Sequence, residues 1–308
     1  MKIDLSIIIL NYNTKNLTLE AIKSIENNYS DEVQSGTYEV IVADNASPDE
    51  SLGAFNEYKK KTKIKSFLVL DNKKNLGFSA GNNKAVPYAK GRYVLFLNPD
   101  TIANPGTLSY MVKFFDSHPV AGGATCKIIS PEGKLDPNCL RGFPTPWNSF
   151  CHFSGLGKLF PKIPLFAGYL QSGWRDINKL QEVDALEGAF LMLPKKIGDE
   201  IGWWDEDYFF YGEDLQFSFD IRKAGYKIYY IPEVSIIHYS GASSGIKKES
   251  QKITTASRET KMKVQGWRFD AMRIFYKKNY AHLYPKTFNW LVFRGIEYLQ
   301  KKNLEKLK

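Results

Sequence analysis

The sequence of 308 residues lacks the features that mark several large protein classes. Its three cysteines, Cys126, Cys139 and Cys151, include no Cys-x-x-Cys pair, so we expect reduced thiols rather than a disulfide framework or a zinc site. No apolar run approaches the ~20 residues that span a bilayer. The early apolar run, residues 7–10, is too short for a signal peptide. A soluble, cytoplasmic globular protein is therefore expected.

Three well-known cofactor and catalytic fingerprints are also missing. No Gly-x-Gly-x-x-Gly follows the first predicted strand, and no Gly-x-x-x-x-Gly-Lys-Ser/Thr occurs. Nothing matches Gly-x-Ser-x-Gly with triad partners. An NAD-dependent enzyme, a P-loop nucleotidase and an α/β-hydrolase are therefore disfavoured.

Acidic residues are scarce at one end of the chain. Residues 257–308 contain 13 Lys/Arg and 4 Asp/Glu, which accounts for the whole net charge of +9. The same segment has ten aromatic side chains, whereas residues 1–256 are electrically neutral. We therefore predict a boundary near Ala256, between a neutral body and a basic, aromatic helical extension.

The body alternates between strand and helix patterns. Apolar runs predict four strands, at residues 5–10, 38–43, 66–70 and 93–97. Intervening segments predict helices that run from Thr14 to about residue 28, from Ser47 onward, over about residues 79–89 and over residues 107–117. This alternation indicates βαβ units and a mostly parallel sheet.

Each of the four predicted strands is followed by a cluster of polar residues and glycines. One such cluster is typical of a turn or a helix cap. Four clusters at the carboxyl edge of one parallel sheet predict a ligand site, because such sheets bind ligands there. The residues concerned are Asn11, Asn13, Asp44, Asn45, Ser47, Asn75, Gly77, Gly81, Asn82, Asn98 and Asp100.

In order and spacing, these motifs resemble those of family 2 glycosyltransferases with the GT-A fold, and in particular bacterial rhamnosyltransferase-like enzymes of surface-polysaccharide assembly. The matching segments are residues 6–13, 42–49, 75–83, 97–100, 187–190, 211–214 and 222–226, with His238 in the position of the family's late histidine. The resemblance implies an α/β GT-A fold, Rossmann-like with a mostly parallel central sheet flanked by helices. It also implies a nucleotide-binding half (about 1–130), an acceptor-side half (about 131–256) and a C-terminal helical extension (257–308).

The implied function is inverting transfer of a sugar from a nucleoside-diphosphate donor, dTDP-rhamnose or a UDP-sugar, to a hydroxyl of a glycan acceptor. The resemblance further implies a lipid-linked acceptor, at the cytoplasmic face of the cell membrane, in cell-surface polysaccharide assembly. A nucleotide-sugar-binding protein without catalysis is the alternative, against which the intact Asp100 and Asp214 argue. Nucleic acid is not an expected partner, because the body is neutral and carries no nucleic-acid motif.

The strand-end residues named above then become the predicted donor site. Asp100 and His238 are the predicted ligands of Mg²⁺ or Mn²⁺, which would neutralise charge on the leaving diphosphate. The family's usual Asp-x-Asp is here Asn98-Pro99-Asp100, which implies weaker metal binding. Asp44 is predicted to accept the imide N–H of uracil or thymine; its alternative role is to cap a helix together with Ser47.

The resemblance places catalysis at Glu213 and Asp214, where a helix begins. Asp214 is the predicted base that takes a proton from the acceptor hydroxyl; the alternative is that the pair only complements the helix dipole. The family's further acid two residues later is Gln216 here. Predicted acceptor contacts are Gly188, Ala189, Trp203, Trp204 and Asp205, with the aromatic-rich segment 135–181 shaping the acceptor site.

The basic extension contains an amphipathic pattern. Trp267, Ala271, Ile274 and Phe275 recur at helical spacing, with basic residues on other faces. Such a helix is predicted either to lie on an anionic membrane surface or to pack on the catalytic domain or on a second subunit of a homodimer.

Overall fold

The computed structural model describes residues 2–240 and 258–305 and contains one mixed sheet of nine strands within these ranges. The strands are β1 (Leu5–Asn11), β2 (Tyr38–Asp44), β3 (Phe67–Asp71), β4 (Tyr93–Leu97), β5 (Thr101–Ala103), β6 (Ala121–Ile129), β7 (Gln181–Glu182), β8 (Phe190–Pro194) and β9 (Lys227–His238). Every residue of β1, β2, β4 and β8 is buried, because helices cover both faces of the sheet.

The sheet runs in the order β3-β2-β1-β4-β8-β6-β9-β5, and β7 pairs with β9. The first half, β3-β2-β1-β4, is parallel as predicted. The other half is mixed, since β8 is antiparallel to both β4 and β6. The segment before β8 returns to the carboxyl edge of the sheet, so Phe190 at the start of β8 lies opposite Leu97 at the end of β4. The expectation of a mostly parallel sheet therefore holds only for the first half.

The helices of the described chain are α1 (Lys15–Asn28), α2 (Ser30–Ser35), α3 (Ser51–Lys59), α4 (Gly77–Ala85), α5 (Thr107–Ser117), α6 (Pro146–Ser154), α7 (Leu156–Leu159), α8 (Lys195–Ile201), α9 (Glu213–Lys223), α10 (Arg258–Asn279) and α11 (Lys286–Glu305). Among the described residues, no helix combines the length and apolarity needed to cross a bilayer. The three cysteines are buried and unbridged, as expected.

Two helix starts differ in detail from the sequence prediction. The predicted helix at Ser47 begins at Ser51, because the backbone N–H and hydroxyl of Ser47 are both held by the Asp44 carboxylate in a turn. Thr14 does precede α1, but its hydroxyl donates to Asn11 rather than accepting from the helix. Local hydrogen bonds to strand ends therefore replace the expected caps.

Helix α10 packs on the body of the protein through the stripe that the sequence shows. Ala271 and Phe275 are buried in a cluster with Tyr208 and Leu215, and the Trp267 ring lies 4.5 Å from that of Phe209. The stripe therefore packs on the catalytic domain, which is one of the alternatives predicted for the extension. Because it is covered there, the stripe itself is not available to a membrane. The predicted boundary near Ala256 lies outside the described residues.

Candidate functional site

A cavity of about 1380 Å³ lies over the carboxyl ends of β1, β2 and β4, where a parallel sheet is expected to bind its ligand. Its wall continues through α9, α10 and the aromatic segment after β6. Ten of the residues predicted from sequence line it: Asn45, Asn75, Gly77, Asn98, Asp100, Gly188, Ala189, Glu213, Asp214 and His238. The fold thus joins part of the predicted donor and acceptor positions with the predicted catalytic and metal positions in one space.

Strand register explains how distant residues meet there. The β4–β8 pairing places the turn after β4 against the start of β8, where the Asn98 N–H donates to the Ala189 carbonyl over 3.0 Å. In the β5–β9 pairing, Thr101 lies opposite His238. Asp100, one residue earlier, therefore has its Oδ1 atom 3.2 Å from Nε2 of His238.

The surroundings of this pair suit a divalent cation. The side chains of Asp100 and His238 are 6% and 7% exposed. Asp136, Glu187 and His238 each offer a ligand atom, and these atoms lie within 4.8 Å of one another. Carboxylate oxygens with one imidazole form a donor set that Mg²⁺ and especially Mn²⁺ accept. Sequence reasoning missed Asp136 and Glu187, whose approach to His238 depends on long-range folding.

Asp214 is held in place by a buried ion pair. Its Oδ2 atom accepts from Nη2 of Arg141 over 2.7 Å and from the Gly188 N–H over 3.3 Å. Arg141 also donates to the Leu186 carbonyl, which fixes the guanidinium. Burial alone would lower the pKa of Arg141, but the adjacent Asp214 charge holds it above its ordinary value. Asp214 therefore faces a permanent cation.

The neighbouring Glu213 has a different environment. Burial, and secondarily the charge of Asp214, raises the pKa of Glu213 above its ordinary value. Its Oε2 atom is buried and has no hydrogen-bond partner among the described residues. The protonated form of Glu213 is thus favoured, whereas Asp214 is paired with a cation. The two adjacent carboxyls of Glu213 and Asp214 therefore have different surroundings, one buried without a partner for Oε2 and one paired with Arg141.

Arg141 was not predicted from the sequence. A signal did exist, since Arg141 is the only Lys, Arg, Asp or Glu in residues 137–157, a stretch rich in Pro, Gly and aromatic residues. A single charge in such a stretch indicates a specific partner, although it does not say which one.

Another part of the predicted donor site forms a buried cluster outside the cavity lining. The Asp44 carboxylate accepts from Nδ2 of Asn11 over 2.7 Å and from the Ser47 N–H over 3.0 Å. The Ser47 hydroxyl in turn accepts from the Asn13 N–H over 2.9 Å. Asp44 thus holds a turn and does not cap a helix as the alternative prediction stated, since α3 begins only at Ser51. Its contact with a nucleobase stays a prediction.

Gly81 and Asn82 also lie outside the lining, on α4. A Cβ atom at Gly81 would come within 2.9 Å of Nδ2 of Asn45, so glycine lets α4 approach the strand ends closely. Asn82 donates from Nδ2 to the Phe78 carbonyl within the same helix. Both residues support the wall rather than face the cavity.

Trp203, Trp204 and Asp205 were predicted to contact the acceptor, but the structure places them away from the cavity. Trp204 is in the core, with its ring 4.4 Å from Phe217, and Trp203 donates from Nε1 to Asp199 on α8. Asp205 pairs with Lys278 of α10. None of the three lines the cavity, because burial of the large rings is more favourable. The proposed acceptor site therefore does not include these three residues.

Aromatic side chains do line the acceptor side, but they come from other segments. Trp147, Phe150 and Phe153 belong to α6, within the segment predicted to shape the acceptor site. Trp267 and Phe275 of α10 close the cavity from the other side. Aromatic faces at these positions can stack on sugar rings.

Two family models match the chain. The one described as Glycosyl transferase family 2 matches residues 6–180, and the one described as Glycosyl transferase family group 2 matches residues 177–269. Together they span the strand-end motifs and the residues of α9.

Two curated relatives carry rhamnosyltransferase names. The N-acetylglucosaminyl-diphospho-decaprenol L-rhamnosyltransferase of Mycobacterium tuberculosis is 25% identical over 218 residues, which are 67% of this chain and 68% of the relative. Rhamnosyltransferase WbbL of Escherichia coli K12 is 29% identical over 171 residues, which are 53% of this chain and 61% of the relative.

Solved structures with the same architecture include two glycosyltransferases. One is mannosyltransferase PcManGT from Pyrobaculum calidifontis, in complex with GDP-Man and Mn²⁺. Its match has a TM-score of 0.56 at 15% identity and covers 99% of this chain and 87% of the PcManGT chain. The other is TarS 1–349 of S. aureus in complex with UDP-GlcNAc. Its match has a TM-score of 0.52 at 18% identity and covers 85% of this chain and 64% of the TarS chain. At these identities the likeness concerns the fold alone.

Proposed function

The chain belongs to glycosyl transferase family 2 and has the GT-A fold, and we propose that it transfers a sugar with inversion from a nucleoside diphosphate to a glycan hydroxyl. The observation that best supports this is the shared cavity. It holds Asp100 and His238, suited to the leaving diphosphate, together with Asp214 at the start of α9. The reaction needs both sets of groups beside one substrate pair.

Asp214 acts as the base in this proposal. As the acceptor oxygen attacks the anomeric carbon, a C–O bond forms, the bond to the diphosphate breaks, and the acceptor proton passes to the Asp214 carboxylate. Arg141 holds Oδ2 of Asp214 in one orientation. Protonated Glu213 adds no second negative charge beside it.

The metal site of this proposal consists of Asp100 and His238, with Asp136 and Glu187 within reach. A bound Mg²⁺ or Mn²⁺ would supply charge neutralisation for the leaving diphosphate. The residues themselves would position the phosphates between the end of β4 and the start of β5, beside the amide of Asn98.

The donor is proposed to be dTDP-rhamnose, with a UDP-sugar as the second choice, because two relatives are named as rhamnosyltransferases. The name of the mycobacterial relative also supports a lipid-linked, diphosphate-bearing acceptor at the cytoplasmic face of the membrane. Asn45, Asn75 and Gly77 would contact the nucleoside side of the donor, and Gly188 and Ala189 the acceptor side, since all of them line the cavity.

A catalytically inactive nucleotide-sugar-binding protein is the competing function. It predicts donor binding without turnover. The Arg141–Asp214 pair argues against it, because burying a charged pair beside the cavity is costly and a pure binding site has no need of it.

The decisive experiment incubates the purified chain with Mn²⁺ and dTDP-rhamnose, UDP-sugars or GDP-mannose. The acceptor is N-acetylglucosaminyl diphosphate on a short polyprenyl chain. Release of nucleoside diphosphate that depends on the acceptor supports transfer. Donor binding by calorimetry, with no release for any pair, favours the binding protein instead.

A separate measurement tests the metal ligands. Asp100→Ala should abolish the gain in affinity for the nucleoside diphosphate that Mn²⁺ provides, as read by calorimetry with and without the ion. Asp71→Ala, at the end of edge strand β3 and paired with exposed Lys73, is the matched control and should keep that gain. Equal gains for both variants would remove Asp100 from the metal site.

A further inference from the structure

Two walls of the cavity end in large apolar side chains that face solvent. On one wall, α6, α7 and the loop that follows present Trp147, Phe150, Leu159, Ile163 and Leu165. On the other, α11 presents Trp290, Leu291 and Tyr298, each more than half exposed. We call these eight side chains the rim. Exposed apolar groups collected around one opening indicate an interaction surface rather than scattered surface residues.

The rim is separate from the apolar stripe of α10, which is already covered. The inner face of α11 packs on α10, with the Phe293 and Tyr276 rings 5.6 Å apart and Ile296 buried. Its outer face carries the exposed Trp290, Leu291 and Tyr298. Residues from α6 and from α11 border the same cavity. The opening therefore lies between two apolar edges.

The charges around the rim have one predominant sign. Residues 145–166 contain two lysines and no Asp or Glu. Helix α11 contains four basic and two acidic residues. Arg294 lies over the Trp290 ring at 5.6 Å, and Lys302 lies near the Tyr298 ring at 6.0 Å. Aromatic rings interleaved with basic groups are typical of segments that lie in the headgroup region of a bilayer.

We propose that the rim docks the protein on the surface of a bilayer that contains anionic lipid, with the cavity opening turned toward the membrane. The apolar side chains enter the headgroup boundary, while Lys158 and Lys162 contact lipid phosphates. A second copy of the chain fits less well, because two rims would bring like charges together. Docking in this orientation lets a membrane-anchored acceptor reach the cavity without leaving the bilayer. The rim is a different surface from the donor site. Failure of membrane docking would therefore not contradict the proposed transfer reaction, and failure of transfer would not contradict docking.

The first test is flotation of the full chain with vesicles of phosphatidylcholine, alone or mixed with phosphatidylglycerol. The wild type should float with the mixed vesicles and less at high salt. The variant Leu159→Ser/Leu165→Ser/Trp290→Ser alters three rim residues that do not line the cavity. It should lose at least about tenfold in partitioning, since each change removes a large apolar side chain.

A matched control changes exposed apolar residues elsewhere. Tyr88→Ser/Val120→Ser alters two side chains of similar exposure far along the chain from the rim, and it should float like the wild type. Lys158→Gln and Lys162→Gln should each reduce binding to the mixed vesicles about fivefold, the equivalent of 1 kcal/mol per lysine. Neither should change binding to phosphatidylcholine alone.

A second measurement needs no variant. Brominated acyl chains in the mixed vesicles should quench tryptophan emission of the wild type, because Trp147 and Trp290 would lie at the depth of the upper chains. Absence of quenching, or equal flotation of the rim variant and the wild type, would overturn the proposal. So would a rim-dependent dimer in light scattering without vesicle binding, which would assign the rim to a second copy.

Discussion

Two buried polar clusters lie at the carboxyl edge of the sheet, and they differ in what surrounds their carboxylates. In the first, Asp44 accepts hydrogen bonds from Asn11 and Ser47, which are neutral and lie at or beside neighbouring strand ends. In the second, Asp214 pairs with Arg141, which lies 73 residues earlier in the chain. The first cluster lies outside the cavity lining, and the second faces the cavity.

The different partners of Asp44 and Asp214 suit two different uses of an aspartate, one in stabilising the fold and one in chemistry. Neutral partners hold Asp44 in a turn and tie β1 to β2. A charged partner holds Asp214 where a substrate hydroxyl can reach it. Substitutions in the first cluster should therefore lower stability, and those in the second should lower turnover while donor binding persists.

The largest effect on turnover is expected from Asp214→Asn. The amide keeps the shape of the side chain but cannot accept a proton, so turnover should fall at least about a hundredfold. Donor affinity by calorimetry should stay close to that of the wild type, whereas the melting temperature should fall, because the buried Arg141 charge loses its anionic partner. Asp220→Asn is the control on the same helix, because the Asp220 side chain accepts hydrogen bonds from Gln216 of α9 and does not line the cavity. Near wild-type turnover of Asp214→Asn would move the base elsewhere.

A smaller loss is expected from Arg141→Lys. Lysine keeps the charge but cannot reproduce the guanidinium geometry that contacts both Asp214 and the Leu186 carbonyl. A displaced base should reduce turnover about tenfold, within the range known for misplacement by an ångström. Donor affinity should not change, and Arg141→Met should lose more turnover than Arg141→Lys. Equal losses in the two variants, or a parallel loss of donor affinity, would contradict a positioning role.

For Asp44→Ala the main effect should be on stability. Loss of the carboxylate leaves buried donors of Asn11 and Ser47 without their acceptor, which costs about 1–3 kcal/mol of unfolding free energy. Urea titration measures this, while turnover of the folded protein should change far less than in Asp214→Asn. The same variant tests the nucleobase prediction. If Asp44 binds uracil or thymine, the variant should have a smaller preference for UDP and dTDP over CDP than the wild type. An unchanged preference would mean that Asp44 only stabilises the turn.

The last expected effect is a pH dependence of stability at Glu213. Because the pKa of Glu213 is raised in the folded state, the native protein holds an extra proton between the ordinary pKa and the raised one. Stability should therefore fall as the pH rises through that window. Glu213→Gln removes this loss, so its stability relative to the wild type should improve between about pH 5 and about pH 8, by at most roughly 1.4 kcal/mol for each step of one in pH. Glu20→Gln, on the exposed face of α1, should show no such trend in urea titrations; an equal trend in both variants would contradict the assignment.

Much of the fold and part of the site follow from local patterns. The strands β1, β2 and β4 and the helices α1 and α5 begin and end near the predicted residues, because apolar periodicity and turn residues act over short distances. Asp100, Asp214 and His238 could be predicted to share a site because they belong to motifs that resemble those of the family, and all three do line the cavity, while their roles stay predictions. Which polar residue faces the cavity could not be predicted, because burial by other elements decides it.

The residues that were missed or misplaced illustrate this limit. Arg141 meets Asp214 only after β6, β8 and α9 have packed together. Trp204 reads as an exposed aromatic beside acidic residues, yet its ring fills the space between Phe96 and Phe217. The antiparallel entry of β8 follows from the path of the preceding segment, which has no periodicity to indicate it.

The position of α10 has a consequence for the order in which the protein becomes competent during synthesis. Its residues Trp267 and Phe275 form part of the cavity wall, and Asn279 donates to Gln216 on the helix that begins with Asp214. The nine strands of the described sheet, and Glu213 and Asp214 of α9, are translated before α10. A nascent chain therefore carries the reactive groups while one side of its cavity is still open to water, and that side closes only after α10 has left the ribosome.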